Sequence, residues 1–314
     1  MELLKECKGA SRIGISGHIR PDGDCVGSCL GLYLYLKKNL PESEVSVFLE
    51  NPPEIFSEIK GFDEICKEAS ADTFDVFFAL DCGADRLGDF QSMFDGATKK
   101  INIDHHISNI GCGDVNYVVP TASSTSELVY DVIGEDGVDA DIAKALYIGI
   151  IHDCGVFQYS CTSPKTMQIG GKLMELVPDF PRIIEETFYQ KTYVQSQIMG
   201  RALMESIRFM DGACIVSSVS KKDMEFYDVT SKDLDGIVNQ LRNIKGVHCA
   251  IFMYETDVLE YKVSMRSDEK VNVAEVASYF GGGGHVRAAG CTMKGTFHDC
   301  VNNLSLHIAK QLEG

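Results

Sequence analysis

Ile101-Asn102-Ile103-Asp104-His105-His106 runs from a short apolar stretch straight into one carboxylate and two imidazoles. Alone, the tripeptide reads as easily as a polar turn. Its position carries more weight, because a parallel α/β sheet gathers its chemistry at the carboxyl ends of its strands. The neighbouring segments repeat the pattern. Candidate strands at Arg12 to Gly17, Val45 to Leu49, Asp75 to Asp81 and Lys100 to Ile103 are interleaved with helical patterns over Val26 to Lys38, Ser126 to Ile133 and Ala140 to His152. Such alternation predicts an α/β fold with a parallel sheet.

Further along, Pro164 to Leu176 reads as a helix and Tyr193 to Arg208 as a long one, after which Ala213 to Val219 restarts a β-rich run. A chain of 314 residues is long enough that two domains are expected. We place a parallel-sheet domain over 1–190, a helical connector over 191–210 and a smaller α/β domain over 211–314. In the last of these, strands are expected at Val247 to Tyr254 and Leu259 to Arg266, then a helix at Val273 to Phe280, a glycine run, a strand and a final helix from Phe297. Ser124-Thr125-Ser126-Glu127 has the form of a capping box, so Ser124 is expected to start a helix rather than to perform chemistry.

Composition narrows the function classes. No apolar run approaches the roughly 20 residues of a membrane span, and the N-terminus lacks the apolar core of a signal peptide. A soluble, cytoplasmic protein without a membrane partner is expected. The 12 cysteines lie scattered in apolar stretches with no Cys-x-x-Cys pair, so they read as reduced core residues. A formal charge of −17 argues against tracking long duplex DNA, which needs a basic stripe to release counterions. A short anionic substrate remains compatible, provided its attraction is local.

Ligand-type side chains recur where strands meet helices. His18-Ile19-Arg20-Pro21-Asp22-Gly23-Asp24 follows the first strand, and Pro21 and Gly23 shape a turn that can bring three ligands together. Gly27-Ser28 is expected to open the next helix, with free amides there for an anion. Asp81 ends the apolar run Val76-Phe77-Phe78-Ala79-Leu80, and Asp153 follows Tyr147-Ile148-Gly149-Ile150-Ile151-His152. A carboxylate in such surroundings is costly unless paired or coordinated. His18, Asp22, Asp24, Asp81, His105 and Asp153 are too many ligands for one tetrahedral zinc. They suit two octahedral ions sharing a bridging carboxylate, with manganese preferred and magnesium the alternative. Two such ions imply phosphoester hydrolysis by activated water.

In order and content these segments resemble the DHH phosphoesterase superfamily: Gly17-His18 through Asp24, then Asp81-Cys82-Gly83, Asp104-His105-His106, and His152-Asp153-Cys154-Gly155. Gly281 to Gly284, His285-Val286-Arg287 and Ala288-Ala289-Gly290 resemble the glycine-rich signature of the DHH-associated domain. Length and domain pairing are similar to the branch of small oligoribonucleases that also act as 3′-phosphoadenosine-5′-phosphate (pAp) phosphatases, often called NrnA-like. The resemblance implies His18, Asp22 and Asp81 on one metal, and Asp24, Asp81, His105 and Asp153 on the other. It implies Asp104 as the support of a histidine and His106 as a contact to the scissile phosphate. Catalysis would then rest on Asp81, Asp104, His105, His106 and Asp153. Arg266, Gly283, Gly284, His285 and Arg287 would bind the substrate's phosphate or nucleotide, with Arg86 a further phosphate contact.

The activity so implied converts short RNA oligomers to mononucleotides and pAp to AMP and phosphate, with substrate entering between the lobes. Two alternatives stand beside it: a phosphodiesterase for pApA or cyclic di-AMP, and a non-catalytic nucleotide sensor. A homodimer is left open.

Overall fold

Val76–Leu80 is buried at every position, as the middle strand of a parallel sheet covered on both faces must be. Its side chains divide by alternation: Val76, Phe78 and Leu80 enter one apolar cluster, Phe77 and Ala79 another. This is a computed structural model, and it describes residues 2–312. Two compact units divide between Gln190 and Lys191.

The first unit runs α1 (Leu3–Glu6), β1 (Arg12–Ser16), α2 (Gly23–Asn39), β2 (Glu44–Phe48), β3 (Val76–Leu80), α3 (Gln91–Gly96), β4 (Lys99–Asp104), β5 (Val115–Val118), α4 (Thr125–Ile133), α5 (Ala140–Asp153), α6 (Pro164–Leu176) and α7 (Phe180–Ile184). The strands pair in parallel in the order β2-β1-β3-β4-β5. From β1 the chain first builds outward to β2, then returns to the other side of β1 with β3. At such a switch of direction the connections leaving β1 and β3 part to opposite faces and open a crevice. His18 follows β1 and Asp81 follows β3, so the topology delivers both to that crevice.

The start of the second helix differs from expectation. Helix α2 opens at Gly23, not at Val26 or Gly27, because Asp22 caps it: Asp22 Oδ1 accepts from the amides of Asp24 and Cys25 at 3.1 Å each. Those amides are therefore satisfied by Asp22 and are not free for an anion. Asp153 is the last residue of helix α5 and reaches the sheet from a helix end. Ser124 does cap α4, accepting from the Glu127 amide at 3.0 Å.

The second unit runs α8 (Tyr193–Met204), β6 (Ile207–Phe209), β7 (Cys214–Val219), α9 (Lys221–Tyr227), α10 (Ile237–Arg242), β8 (Cys249–Asp257), β9 (Glu260–Ser267), α11 (Val273–Tyr279), β10 (Gly283–His285), β11 (Ala288–Lys294) and α12 (Phe297–Leu312). Its mixed sheet has the order β10-β11-β9-β8-β7-β6, with only β7 and β8 parallel. Residues 191–210, expected as a connector, belong to this unit. Ile198 and Ala202 of α8 are buried in the same cluster as Ile237 and Leu241 of α10.

Part of the glycine run is likewise not a loop. Gly283–His285 forms the edge strand β10, paired with Ala288–Gly290. Gly284 has φ +143°, and a Cβ there would meet the Ala288 carbonyl oxygen at 2.5 Å, so glycine is required. Acidic residues are unevenly shared: the first unit carries 31 acidic against 15 basic residues, the second 15 against 14.

Candidate metal centre

Asp81 sits one residue past β3 with φ +61°, a left-handed turn that aspartate tolerates better than most residues. Its amide still accepts the sheet register, donating to the Ile103 carbonyl at 3.0 Å. Its two carboxylate oxygens have different histidine neighbours. Oδ2 lies 3.4 Å from His18 Nε2, while Oδ1 lies 3.5 Å from His105 Nε2. Thr125 Oγ1 donates to Oδ1 at 3.0 Å.

Around this axis the other expected ligands gather. His18 Nδ1 lies 2.8 Å from the Ile19 carbonyl, which can only accept, so Nδ1 carries a proton and Nε2 is the nitrogen turned to Asp81 and, at 3.7 Å, to Asp22. His105 Nε2 faces Asp153 Oδ2 at 3.0 Å. Donor atoms of Asp24, His105 and Asp153 lie within 4.8 Å of one another, as do those of His18, Cys25 and Asp81 and those of Asp81, His105 and His106. All six expected metal ligands thus converge on one crevice, although strands, helix starts and a helix end supply them.

The unexpected contributor is the start of α4. Asp24 is buried, and its carboxylate accepts from the amides of Thr125 at 2.6 Å and Ser126 at 2.8 Å. The positive end of that helix thereby anchors an expected ligand reached across about a hundred residues of chain. Gly149 makes room: a Cβ there would lie 2.9 Å from Asp24 Oδ1 and 1.9 Å from Ser126 Oγ. Sequence reading passed over Thr125 and Ser126 because the capping box already explained them. The visible signal was four hydroxyl residues in a row, Ser123 to Ser126, all buried in the fold.

Asp104 is buried and holds the segment that follows it. Its Oδ1 accepts from the amides of His105 and His106 at 2.7 and 3.1 Å and from His106 Nδ1 at 2.7 Å. Its Oδ2 accepts from Asn109 Nδ2 at 2.6 Å. Asn102, a buried amide between two isoleucines, donates to the carbonyls of Ala79 and Cys82 and so ties β4 to the turn at Asp81. Asn102, Asn109 and His152 were all missed as site residues. His152 fills the space that a Cβ on Gly23 would take, 2.3 Å from its ring. Its Nε2 donates to Thr187 Oγ1 at 3.1 Å, since that hydroxyl is itself committed to the Ile183 carbonyl. The rings of Phe56 and Phe188 flank it at 5.0 and 5.5 Å.

The electrostatics fit cations. Burial pushes the Asp24 and Asp153 carboxyls up, the former strongly, with Asp81 adding to both. Burial also opposes ionisation of Asp81, but hydrogen bonds from His105 and His18 outweigh it and hold this carboxyl below the ordinary range. Burial alone would push His18 and His105 down; the carboxylates prevail, Asp22 and Asp81 on His18, Asp153 and Asp81 on His105, and both are pushed up to about 12. The cluster therefore draws positive charge strongly, and its four carboxylates match the charge of two divalent ions. Oxygen and imidazole donors suit manganese or magnesium better than a thiolate-preferring ion.

Of the residues expected to hold substrate, Arg86 lies in the turn after β3 in the first unit. The others belong to the second unit. Arg266 on β9 is paired with Ala288, which faces His285 across the β10–β11 hairpin, and the Arg287 carbonyl accepts from the Ser267 amide at 3.0 Å. Backbone pairing so brings Arg266, Gly283, Gly284, His285 and Arg287 to one end of the second sheet. Among the described residues every cysteine is a free thiol, and Cys82 is buried in the aromatic cluster behind β3. No helix of the described residues is long and apolar enough to cross a membrane.

Fold and donor set together define a metal-dependent phosphoesterase. The chain belongs to the DHH family: the N-terminal domain of that family matches residues 12–150, and the DHHA1 domain matches residues 211–313. It is 31% identical over 301 residues to the bifunctional oligoribonuclease and PAP phosphatase NrnA of Thermus thermophilus, spanning 94% of this chain and 87% of that protein. With the protein of the same name from Bacillus subtilis it shares 26% over 303 residues, covering 93% and 92%. Among solved structures, an exopolyphosphatase-related protein from Bacteroides fragilis superposes with a TM-score of 0.90 at 26% identity, covering 99% of this chain and 95% of that one.

Proposed function

We propose that this protein hydrolyses short oligoribonucleotides to mononucleotides and pAp to AMP and phosphate, using two divalent cations, manganese foremost. The observation that carries the reading is Asp81, whose two oxygens each face a different histidine, 3.4 Å from His18 and 3.5 Å from His105. His18, Asp22 and Asp81 would hold one ion; Asp24, Asp81, His105 and Asp153 the other. When bound, such a pair lowers the pKa of a water and offsets charge on the phosphoryl oxygens. The names of the Thermus and Bacillus relatives support the substrate class.

The chain's own residues would divide the work. His106 has its pKa raised, first by its hydrogen bond to Asp104, and donates through Nδ1 to that carboxylate; its Nε2 would meet the scissile phosphate as a positive donor. Asp104 keeps the ring oriented and charged. Residues 1–190 would form the catalytic domain and the second unit the substrate-binding one. There Arg266 and Arg287 offer forked donors to phosphate oxygens, Gly283 and Gly284 allow close approach of the backbone, and His285 stands beside them.

A manganese-supplemented assay over pAp and RNA of 2 to 24 nucleotides tests the reading. Expected products are phosphate from pAp and mononucleotides from dimers, with rates falling as length grows. A protein that binds these nucleotides yet hydrolyses none would be a sensor, and the proposal would fail.

A further inference from the structure

A cavity of about 410 Å³ opens in the first unit beside the metal centre. It shares His106 and Asp104 with that centre, whereas His18, Asp22, Asp24 and Asp153 do not line it. One wall is the turn after β3, from Cys82 to Arg86; the other is the loop Ser108 to Cys112. The space therefore begins where a scissile phosphate would touch His106 and runs away from the metal ligands. Its size falls within the roughly 300–1,000 Å³ of small-molecule sites.

Three side chains give it a chemical character. Ile110 is 99% exposed on the loop wall. The loop is pinned at Asn109, whose Nδ2 donates to Asn102 Oδ1 at 2.9 Å and to Asp104 Oδ2 at 2.6 Å, and whose Oδ1 accepts from the Gly111 amide at 2.8 Å. Ile110 is thus held out at the rim by a fixed loop, an apolar surface of the kind a nucleobase covers. Arg86 is exposed and forms no ion pair among the described residues, in a unit where acidic residues outnumber basic ones two to one. Asp85 beside it can accept from a ribose hydroxyl.

We propose that this cavity holds the second nucleoside of an oligoribonucleotide, the one that a dinucleotide has and pAp lacks. Its base lies against Ile110, its ribose near Asp85, and any following phosphate near Arg86. The inference rests on the proposed function and deepens it: the same metal centre would cleave pAp with the cavity empty and RNA with it filled. A cavity for one residue, in a unit whose acidic residues outnumber its basic ones two to one, also accounts for a preference for short oligomers.

Ile110→Asp places a charge where the base would lie, at a position too exposed to endanger folding. The test compares kcat/KM for pApA and for pAp in wild type and in this variant, with manganese binding followed by calorimetry. We expect the pApA-to-pAp ratio to fall at least tenfold in I110D while the manganese isotherm stays unchanged. An unchanged ratio, or an equal fall for both substrates, overturns the cavity assignment while leaving the proposed function intact. A wild type that cleaves neither substrate overturns the proposed function instead. In that event equilibrium binding of pApA to wild type and I110D decides the cavity separately, equal affinities counting against it.

Discussion

Asp104 Oδ1 receives the His106 ring proton at 2.7 Å while also accepting the main-chain amides of His105 and His106, so one buried carboxylate sets both the backbone turn and the ring. Asp104→Asn keeps the shape but replaces an acceptor pair with a mixed amide. We expect kcat/KM for pAp to fall ten- to a hundredfold, the range for residues supporting a site's direct contacts. His106 loses the interaction that raises its pKa, so the alkaline limb of the pH–rate profile should move to lower pH. A profile that keeps its alkaline limb would contradict the role given to Asp104.

Asp81 faces both histidines from a left-handed backbone, and its replacement should disturb both ions at once. Asp81→Asn, which tolerates that backbone, is the cleaner variant; Asp81→Ala adds about 1 kcal/mol of backbone strain. Calorimetric titration with manganese should lose both tight sites in either variant. One site surviving at wild-type affinity would remove Asp81 from its bridging position.

In the metal-free protein His18 and His105 are pushed up to about 12 from an ordinary 6.5. Their protonated forms therefore contribute stability that is fully present below about pH 6.5 and declines as pH rises toward 12. Ions must displace those protons, so manganese affinity should increase with pH. Titrations at pH 8 in two buffers of different ionisation enthalpy should report proton release on binding; none would count against these ligands.

Asp24 presents the opposite sign. Burial raises its pKa, so in the metal-free fold its ionised form costs stability, increasingly as pH climbs above the ordinary aspartate value. At each of the two proposed sites, manganese at a hundred times its dissociation constant should stabilise the wild type by about 2.7 kcal/mol, a rise of roughly 5–10 °C per site for a domain of this size. Asp24→Asn should abolish the part of that rise that comes from its own site. A full manganese-induced shift in the variant, read by differential scanning fluorimetry, would show that Asp24 is not a ligand.

His152 presses on Gly23 and is braced by Thr187, Phe56 and Phe188, which couples the start of α2 to the end of α5. His152→Ala should open a gap there, costing about 1–2 kcal/mol, since the ring is only half-buried. Because Asp22, Asp24 and Asp153 adjoin that contact, manganese affinity should fall about tenfold. His152→Phe should restore much of the affinity. A variant that loses stability but binds manganese as before would reduce His152 to packing.

Much of this was legible in the chain because it depends on local order. Val76 to Leu80 is apolar without interruption, and only a doubly covered strand tolerates that; Asp81 after it then has to be paired or coordinated. The motifs keep their candidate ligands next to strand ends, so reading the strands located His18, Asp81 and His105. The DHH and DHHA1 segments were equally plain in their residues. Boundaries set by partners were not: Asp22 extends α2 backward by capping it, and Ile198 and Ala202 draw a supposed connector into the second unit's core.

What the sequence by itself determined is therefore the set of candidate ligands and the alternation that gathers them, since hydrophobic period and residue chemistry act over a few positions. Tertiary structure alone decided the bonds that reach across the chain. The amides of Thr125 and Ser126 take the carboxylate of Asp24, the ring of His152 fills the space beside Gly23, and Asn109 fixes the loop that carries Ile110. The reason is physical: a buried polar group must find a partner, and which partner is near is set by how the layers stack.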